Sequence, residues 1–134
     1  MTLPIDHVAI VVHSLDRALA FYSDALGLDV SERREVPEES VEMASLALAQ
    51  GRIELIQPLS GESGVARFLE KRGEGLHHVC LVVADIGEAM KDLQEAGAEL
   101  ITDEPQIGAD GTRYVFVHPR SAHGVLLELY EESA

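Results

Sequence analysis

The chain contains an internal repeat. The segment HVAIVVHSLDRALAFYSDAL at residues 7–26 aligns without gaps with HVCLVVADIGEAMKDLQEAG at residues 78–97, an offset of 71 positions. In each copy a histidine precedes a short apolar run, and apolar residues at helical spacing follow it. Because one supersecondary unit of this size cannot bury its apolar face alone, the two copies are expected to pack together.

A second pair of segments repeats at nearly the same offset. Ile-Glu-Leu at residues 53–55 matches Leu-Glu-Leu at residues 127–129, 74 positions further on. Each half therefore starts with a histidine and ends with a glutamate, both in apolar runs where a charge is costly unless it is paired or metal-bound. A pseudo-twofold arrangement would place all four around one axis. We therefore predict that His7, Glu54, His78 and Glu128 bind one divalent metal ion through imidazole and carboxylate groups.

The hydrophobic pattern of each half predicts the element order βαβββ. The first half has predicted strands at about 5–12, 28–34, 41–49 and 52–57, with a helix between Ser14 and Gly27. The second half has a helix capped by Asp85, strands near 99–101, 112–118 and 125–130, and a loop at 102–111. We predict an α+β fold of two tandem βαβββ modules that form a curved mixed sheet around a metal-binding cleft.

The length and composition indicate one domain over residues 1–134, with 46% hydrophobic residues available for its core. The predicted modules span about 3–59 and about 75–134, and a connector helix lies in the segment from about 60 to 74. No apolar run approaches the length of a membrane helix and no signal peptide precedes the first strand, so a cytoplasmic location is expected. Cys80 lies in an apolar run, which favours a buried thiol over a reactive one.

The net charge of −14 argues against binding to nucleic acid or anionic membranes. An anionic small substrate would need local positive charge, supplied by a metal ion or by a basic cluster such as Arg67, Lys71 and Arg72. Such a cluster on a predicted helix is also typical of an ordinary solvated face.

Glu42 is a further candidate, since it lies inside the strand predicted at 41–49. It has the parity of Leu46 and Leu48, which predicts that its carboxylate points into the same cleft as the metal ligands. The alternative is a solvated glutamate on an edge strand, beside Glu38 and Glu39.

Several segments of the chain resemble the vicinal oxygen chelate superfamily and, within it, the methylmalonyl-CoA epimerases. These segments are IDHVAIVV at 5–12, SVEMASL at 40–46, GLHHVCLVV at Gly75–Val83 and DEPQIGADGTRYVFVHPRSAHGVLLEL at 103–129. The resemblance implies metal ligands at His7, His78 and Glu128, with Glu54 at a position that some epimerases fill with glutamine. It implies cobalt as the first choice of ion, with manganese, nickel or zinc as alternatives.

The resemblance also implies an activity and a substrate. The enzyme would interconvert the epimers of methylmalonyl-CoA at C2 by metal-assisted proton abstraction through an enolate, with Glu42 and Glu128 as the catalytic acid–base pair. Its partner would be an acyl-CoA thioester, methylmalonyl-CoA or the related ethylmalonyl-CoA. By analogy with the family, the chain is expected to form a homodimer.

Two other functions fit parts of the sequence. Bacterial lactoylglutathione lyases (glyoxalase I) use the same His, Glu, His, Glu ligand set, although the turn HPRSAHG at residues 118–124 favours the epimerase. A metal-free module that sequesters a small molecule is the third reading, and analysis of the metal content of the purified protein separates it from the other two.

Overall fold

The structure, a computed structural model, describes residues 1–132 and divides the chain into two compact units. One unit consists of His7–His77, and the other combines Met1–Asp6 with the chain from His78 onward. The N-terminal segment therefore belongs with the second repeat, where the Val82 N–H donates to the Pro4 carbonyl at 3.0 Å. The boundary between the units falls at two peptide bonds, Asp6–His7 and His77–His78. Each repeat histidine is therefore the first residue after a boundary.

The first half of the chain forms four strands and two helices. In chain order these are β1 (Ile5–Val11), α1 (Leu15–Leu19, continued by a π-helical segment Ala20–Ala25), β2 (Val30–Val36), β3 (Val41–Ala47), β4 (Arg52–Pro58) and α2 (Gly64–Arg72). The strand order is β2-β3-β4-β1. β1 runs parallel to β4, and the other neighbours are antiparallel.

The second half repeats this topology. Its elements are β5 (Gly75–Val83), α3 (Ile86–Glu95), β6 (Gln106–Ile107), β7 (Arg113–Val117) and β8 (Leu127–Glu131). The strand order is β5-β8-β7-β6, with β5 parallel to β8 and the remaining pairs antiparallel. The predicted α+β class and the two βαβββ modules are confirmed.

One predicted strand of the second half is wrong. In the segment 99–101 only Leu100 forms an isolated bridge, with Val117, and the short strand β6 lies instead within the predicted loop. The Gly108 N–H donates to the Thr112 carbonyl at 2.9 Å, and Gly111 adopts a φ of +83°, which closes a hairpin between β6 and β7.

Similar signals begin and end the two repeat helices. Ser14 and Asp85, 71 positions apart, each accept the backbone N–H three residues further on, at 3.2 and 3.0 Å. Gly27 and Gly97 follow the helices with φ of +92° and +88°, a conformation that glycine adopts without strain. The start and stop signals of both helices are therefore local.

Each unit has its own apolar core. In the unit His7–His77 the sheet has a core on both faces. On one face α1 contributes to a cluster of Val12, Leu15, Ala44, Leu46 and Leu55. On the other face Val65 of α2 packs against Ala9, Val36, Val41, Met43 and Ile56. In the second unit α3 covers one face, with a core of Val83, Ile86, Met90, Val115, Val117 and Leu129. Within residues 1–132 no helix is long and apolar enough to cross a membrane.

Candidate metal centre

The unit His7–His77 holds the first histidine–glutamate pair. His7 on β1 is 2% exposed, and Glu54 lies on the neighbouring parallel strand β4, directly opposite Ala9. The His7 Nδ1 atom is 3.5 Å from Glu54 Oε2. The pair forms because the first and last strands of the module are parallel neighbours, so residues 47 positions apart in sequence share one sheet face.

The second unit holds an equivalent pair. His78 on β5 and Glu128 on β8 are 8% and 5% exposed, and Glu128 lies opposite Cys80. The His78 Nε2 atom is 3.0 Å from Glu128 Oε1. In both units the glutamate therefore lies opposite the residue two positions after the histidine. The sequence repeat is thus also a repeat of register.

The geometry of each pair fits a divalent metal ion. Nitrogen and oxygen ligands with metal bonds of about 2.0 to 2.2 Å, set at angles of about 90 to 110°, lie roughly 3.0 to 3.5 Å from each other. The two observed separations of 3.0 and 3.5 Å match this spacing. Each pair offers one imidazole nitrogen and one carboxylate oxygen, a donor set that suits first-row divalent ions. The Glu54 side chain is 12% exposed, and the other three are buried.

Arg52 is a residue of the candidate site that sequence reasoning missed. Its Nε and Nη2 atoms donate to Glu54 Oε2 at 3.0 and 2.7 Å. The spacing could have revealed this contact, since residues two apart in a strand share a face. A guanidinium that holds a ligand carboxylate fixes its orientation, as outer-sphere groups do in metal sites.

Aromatic rings surround the pair in the second unit. Phe116 lies opposite Glu128 in the β7–β8 register, and its ring meets the His78 ring edge-on with centroids 5.3 Å apart. The contacts continue from Phe116 to Tyr114 and from Tyr114 to Tyr130, each at 6.0 Å. These rings line the sheet face that carries His78 and Glu128, opposite the face that α3 covers. The sequence signal for this face is the alternation of aliphatic residues with aromatic or charged ones in YVFV at 114–117 and LELY at 127–130.

The expectation that Glu42 shares a sheet face with Glu54 is wrong. In the β3–β4 register Glu42 lies opposite Gln57, whereas Glu54 lies opposite Ser45. Side chains of adjacent residues alternate, so the carboxylates of Glu42 and Glu54 point to opposite faces. Glu42 does share its face with Leu46, but that face packs against α1.

The carboxylate of Glu42 belongs to a cluster of charges on that other face. The Arg33 Nε atom donates to the Glu42 carboxylate at 3.1 Å, and the Arg33 Nη1 atom donates to Asp16 of α1 at 2.9 Å. The hydrogen bond with Glu42, followed by that with Asp16, raises the pKa of Arg33 above its usual value. Glu42 therefore links β3, β2 and α1, and we do not assign it a role as catalytic base.

The sequence profile of the Glyoxalase/Bleomycin resistance protein/Dioxygenase superfamily matches residues 6–116. The chain belongs to this superfamily.

Individual relatives are similar over nearly the whole chain. Mitochondrial methylmalonyl-CoA epimerase of Bos taurus is 40% identical over 126 residues, 93% of this chain and 72% of the bovine protein. Ethylmalonyl-CoA/methylmalonyl-CoA epimerase of Cereibacter sphaeroides is 41% identical over 127 residues, 93% of this chain and 95% of that protein. A variant of Streptomyces coelicolor methylmalonyl-CoA epimerase, solved with 2-nitronate-propionyl-CoA, has a TM-score of 0.89 at 34% identity and covers 99% of this chain and 100% of that one.

Proposed function

We propose that the protein interconverts the two epimers of methylmalonyl-CoA at C2. The observation that carries this proposal is a 41% identity with a bacterial ethylmalonyl-CoA/methylmalonyl-CoA epimerase, over 93% of this chain, together with two His/Glu pairs in equivalent register. The name of that relative covers both thioesters, and the two substrates differ by one methylene group. We propose methylmalonyl-CoA as the main substrate and ethylmalonyl-CoA as a secondary one.

We propose further that His7, Glu54, His78 and Glu128 hold one divalent ion. Two features support this: the pairs are equivalent in register, and each histidine follows one of the two peptide bonds at which the chain changes units. When bound, the ion supplies Lewis-acid stabilisation for the negative charge that develops on the thioester oxygen. Cobalt is the first ion to test, followed by manganese, nickel and zinc.

Glu128 is our candidate for the group that moves the proton. Its carboxylate would take the proton from C2 while the electrons of the broken C–H bond form the C=C bond of an enolate; a water molecule would donate a proton to the opposite face to give the other epimer, and Glu128 would then lose its proton to solvent. Glu128 is 5% exposed and lies opposite Phe116 in the β7–β8 register. A nitronate, like this enolate, is planar and anionic, and the Streptomyces coelicolor relative was solved with such a compound.

Deuterium incorporation tests the proposed reaction. Incubation of a single epimer of methylmalonyl-CoA with the protein in heavy water, after loading with cobalt, should give the other epimer with deuterium at C2. Glu128→Gln should abolish both inversion and incorporation, and metal analysis of the variant shows whether the ion is still bound. If the metal-loaded native protein gives neither inversion nor incorporation, the proposed activity is excluded.

We also propose that the protein acts in the cytoplasm as a homodimer. The similarity to a bacterial epimerase, over 95% of that protein, supports a cytoplasmic location. The strands β2 and β6 each stand at one end of a strand order and offer backbone groups that a second copy could cover.

A further inference from the structure

The helix α2 carries a group of positive side chains. Arg67, Lys71 and Arg72 are all exposed, and we refer to these three residues as the α2 basic patch. Glu70 is the one carboxylate within Gly64–Arg72, so this helix has a net charge of +2 (three cations and one anion) in a chain of net charge −14. The patch is therefore a local exception to an acidic protein.

The arginines elsewhere in the chain are largely neutralised. Five of them form ion pairs with carboxylates: Arg33, Arg34, Arg52, Arg113 and Arg120. In contrast, the patch residues make no carboxylate ion pair within the described chain. Arg67 donates to the Glu62 carbonyl at 2.7 Å, and the Arg72 guanidinium lies over the Phe68 ring, 5.6 Å from its centroid. Their positive charge remains available to an anion.

The position of α2 relates the patch to the proposed site. Val65, at the start of the helix, packs on the core of Ala9 and Ile56, on the sheet face that also carries Glu54. Further along, the Phe68 ring meets the His77 ring edge-on at 5.0 Å, and His77 directly precedes His78. The patch therefore lies on helix α2, whose first turn packs on the sheet face that carries Glu54.

A CoA thioester has two chemically different ends. Its acyl group reacts, while a flexible pantetheine arm connects that group to an adenosine 3′-phosphate and a pyrophosphate, which carry several negative charges. A strongly acidic protein repels such a polyanion unless it offers local cations. We propose that the α2 basic patch binds the phosphates of the CoA nucleotide. This inference rests on the proposed function, and it assigns the part of the substrate that does not react.

Positive residues in the last turn of a helix also stabilise its macrodipole. That role concerns the stability of α2 and does not depend on the substrate. The two roles therefore separate experimentally: a stabilising role alters the melting temperature, whereas phosphate binding alters the KM of substrates that have the nucleotide and leaves the others unchanged.

The test compares methylmalonyl-CoA with methylmalonyl-pantetheine, which lacks the nucleotide, in the native protein and in the double variant Lys71→Ala/Arg72→Ala. The variant should raise the KM for the CoA thioester about tenfold with little change in kcat, because the phosphates bind equally in ground and transition states. Kinetics with the pantetheine thioester should not change. Free CoA should bind more weakly by the same factor, and added salt should raise the native KM more than the variant KM.

Lys91→Ala provides the matched control, since Lys91 is an exposed cation on α3 in the other unit. It should leave both substrates unaffected. An unchanged KM for methylmalonyl-CoA in the double variant, or an equal loss with both thioesters, would overturn the assignment of the patch. If the native protein epimerises neither thioester, the proposed function and the patch inference are both wrong. If it epimerises both, the comparison of KM values tests the patch inference alone.

Discussion

Glu54 and Glu128 occupy equivalent positions in the repeat, but the residues next to them differ. Glu54 accepts two hydrogen bonds from Arg52, whereas Glu128 lies opposite Phe116 and within 3.0 Å of His78. Two hydrogen bonds from a guanidinium fix the position of a carboxylate. At the scale of single residues this contact supports the proposal that Glu54 is a fixed ligand.

The first residue prediction concerns Glu42. The variant Glu42→Gln should keep epimerase activity within about twofold of the native value, because the altered group faces α1 and lies on the opposite side of the sheet from Glu54. Thermal unfolding should show only a small loss of stability, because a solvent-exposed ion pair such as that with Arg33 contributes little. A loss of activity above a hundredfold with metal content and melting temperature intact would return Glu42 to the mechanism.

The second residue prediction concerns Phe116. A substituent on C2 must lie beside the group that takes the C2 proton, so with Glu128 in that role it meets the ring of Phe116. Phe116→Leu should make room and raise the ratio of kcat/KM for ethylmalonyl-CoA over methylmalonyl-CoA by about five- to tenfold, near the worth of one methylene. Phe21→Leu, at an exposed ring 57% accessible to solvent, is the control. An unchanged ratio would remove Phe116 from substrate selection.

At the scale of elements, Glu131 ties three of them together. It accepts the N–H of Ile86 at the start of α3 at 3.0 Å, and Arg113 of β7 donates to both of its oxygens at 2.9 and 2.6 Å. The hydrogen bond from Arg113, followed by that from Ile86, lowers the pKa of Glu131. The carboxylate thus stabilises the start of α3 while it holds β7 against β8.

This lowered pKa predicts a pH dependence of stability. The unfolded state binds the proton more readily than the folded state, so the contribution of Glu131 is fully present above its unfolded pKa and is lost as pH falls through the folded pKa. Glu131→Gln should therefore lower the melting temperature at neutral pH and reduce the slope of stability against pH on the acid side. Parallel curves for the two proteins across that range would contradict the prediction; Glu132→Gln is the control.

At the scale of the whole molecule, the His, Glu, His, Glu set by itself does not separate an epimerase from a lactoylglutathione lyase. Both reactions move a proton on a carbon next to a carbonyl group, and both use a divalent ion with carboxylates. The similarity that distinguishes them extends over 93% of the chain, with identities of 40 and 41% to named epimerases.

The corresponding prediction is that the protein lacks lactoylglutathione lyase activity under conditions where a glyoxalase I is active. The metal-loaded protein should not turn over the hemithioacetal of methylglyoxal and glutathione, because its site would be shaped for a malonyl thioester. The assay follows thioester formation by absorbance, with a glyoxalase I run in parallel. Turnover of the hemithioacetal at a rate equal to or above that of methylmalonyl-CoA would favour the lyase.

The sequence alone determined those features that depend on near neighbours in the chain. The caps Ser14 and Asp85 can be read from the sequence because capping acts within a few residues, and the repeat of 71 positions singled out the histidines and glutamates without showing which strands pair. The tertiary structure decided which sheet face each helix covers, and the β3–β4 register placed Glu42 and Glu54 on opposite faces of the sheet. Alternation defines two faces of a strand, but only the packing of α1 and α2 determines what each face meets.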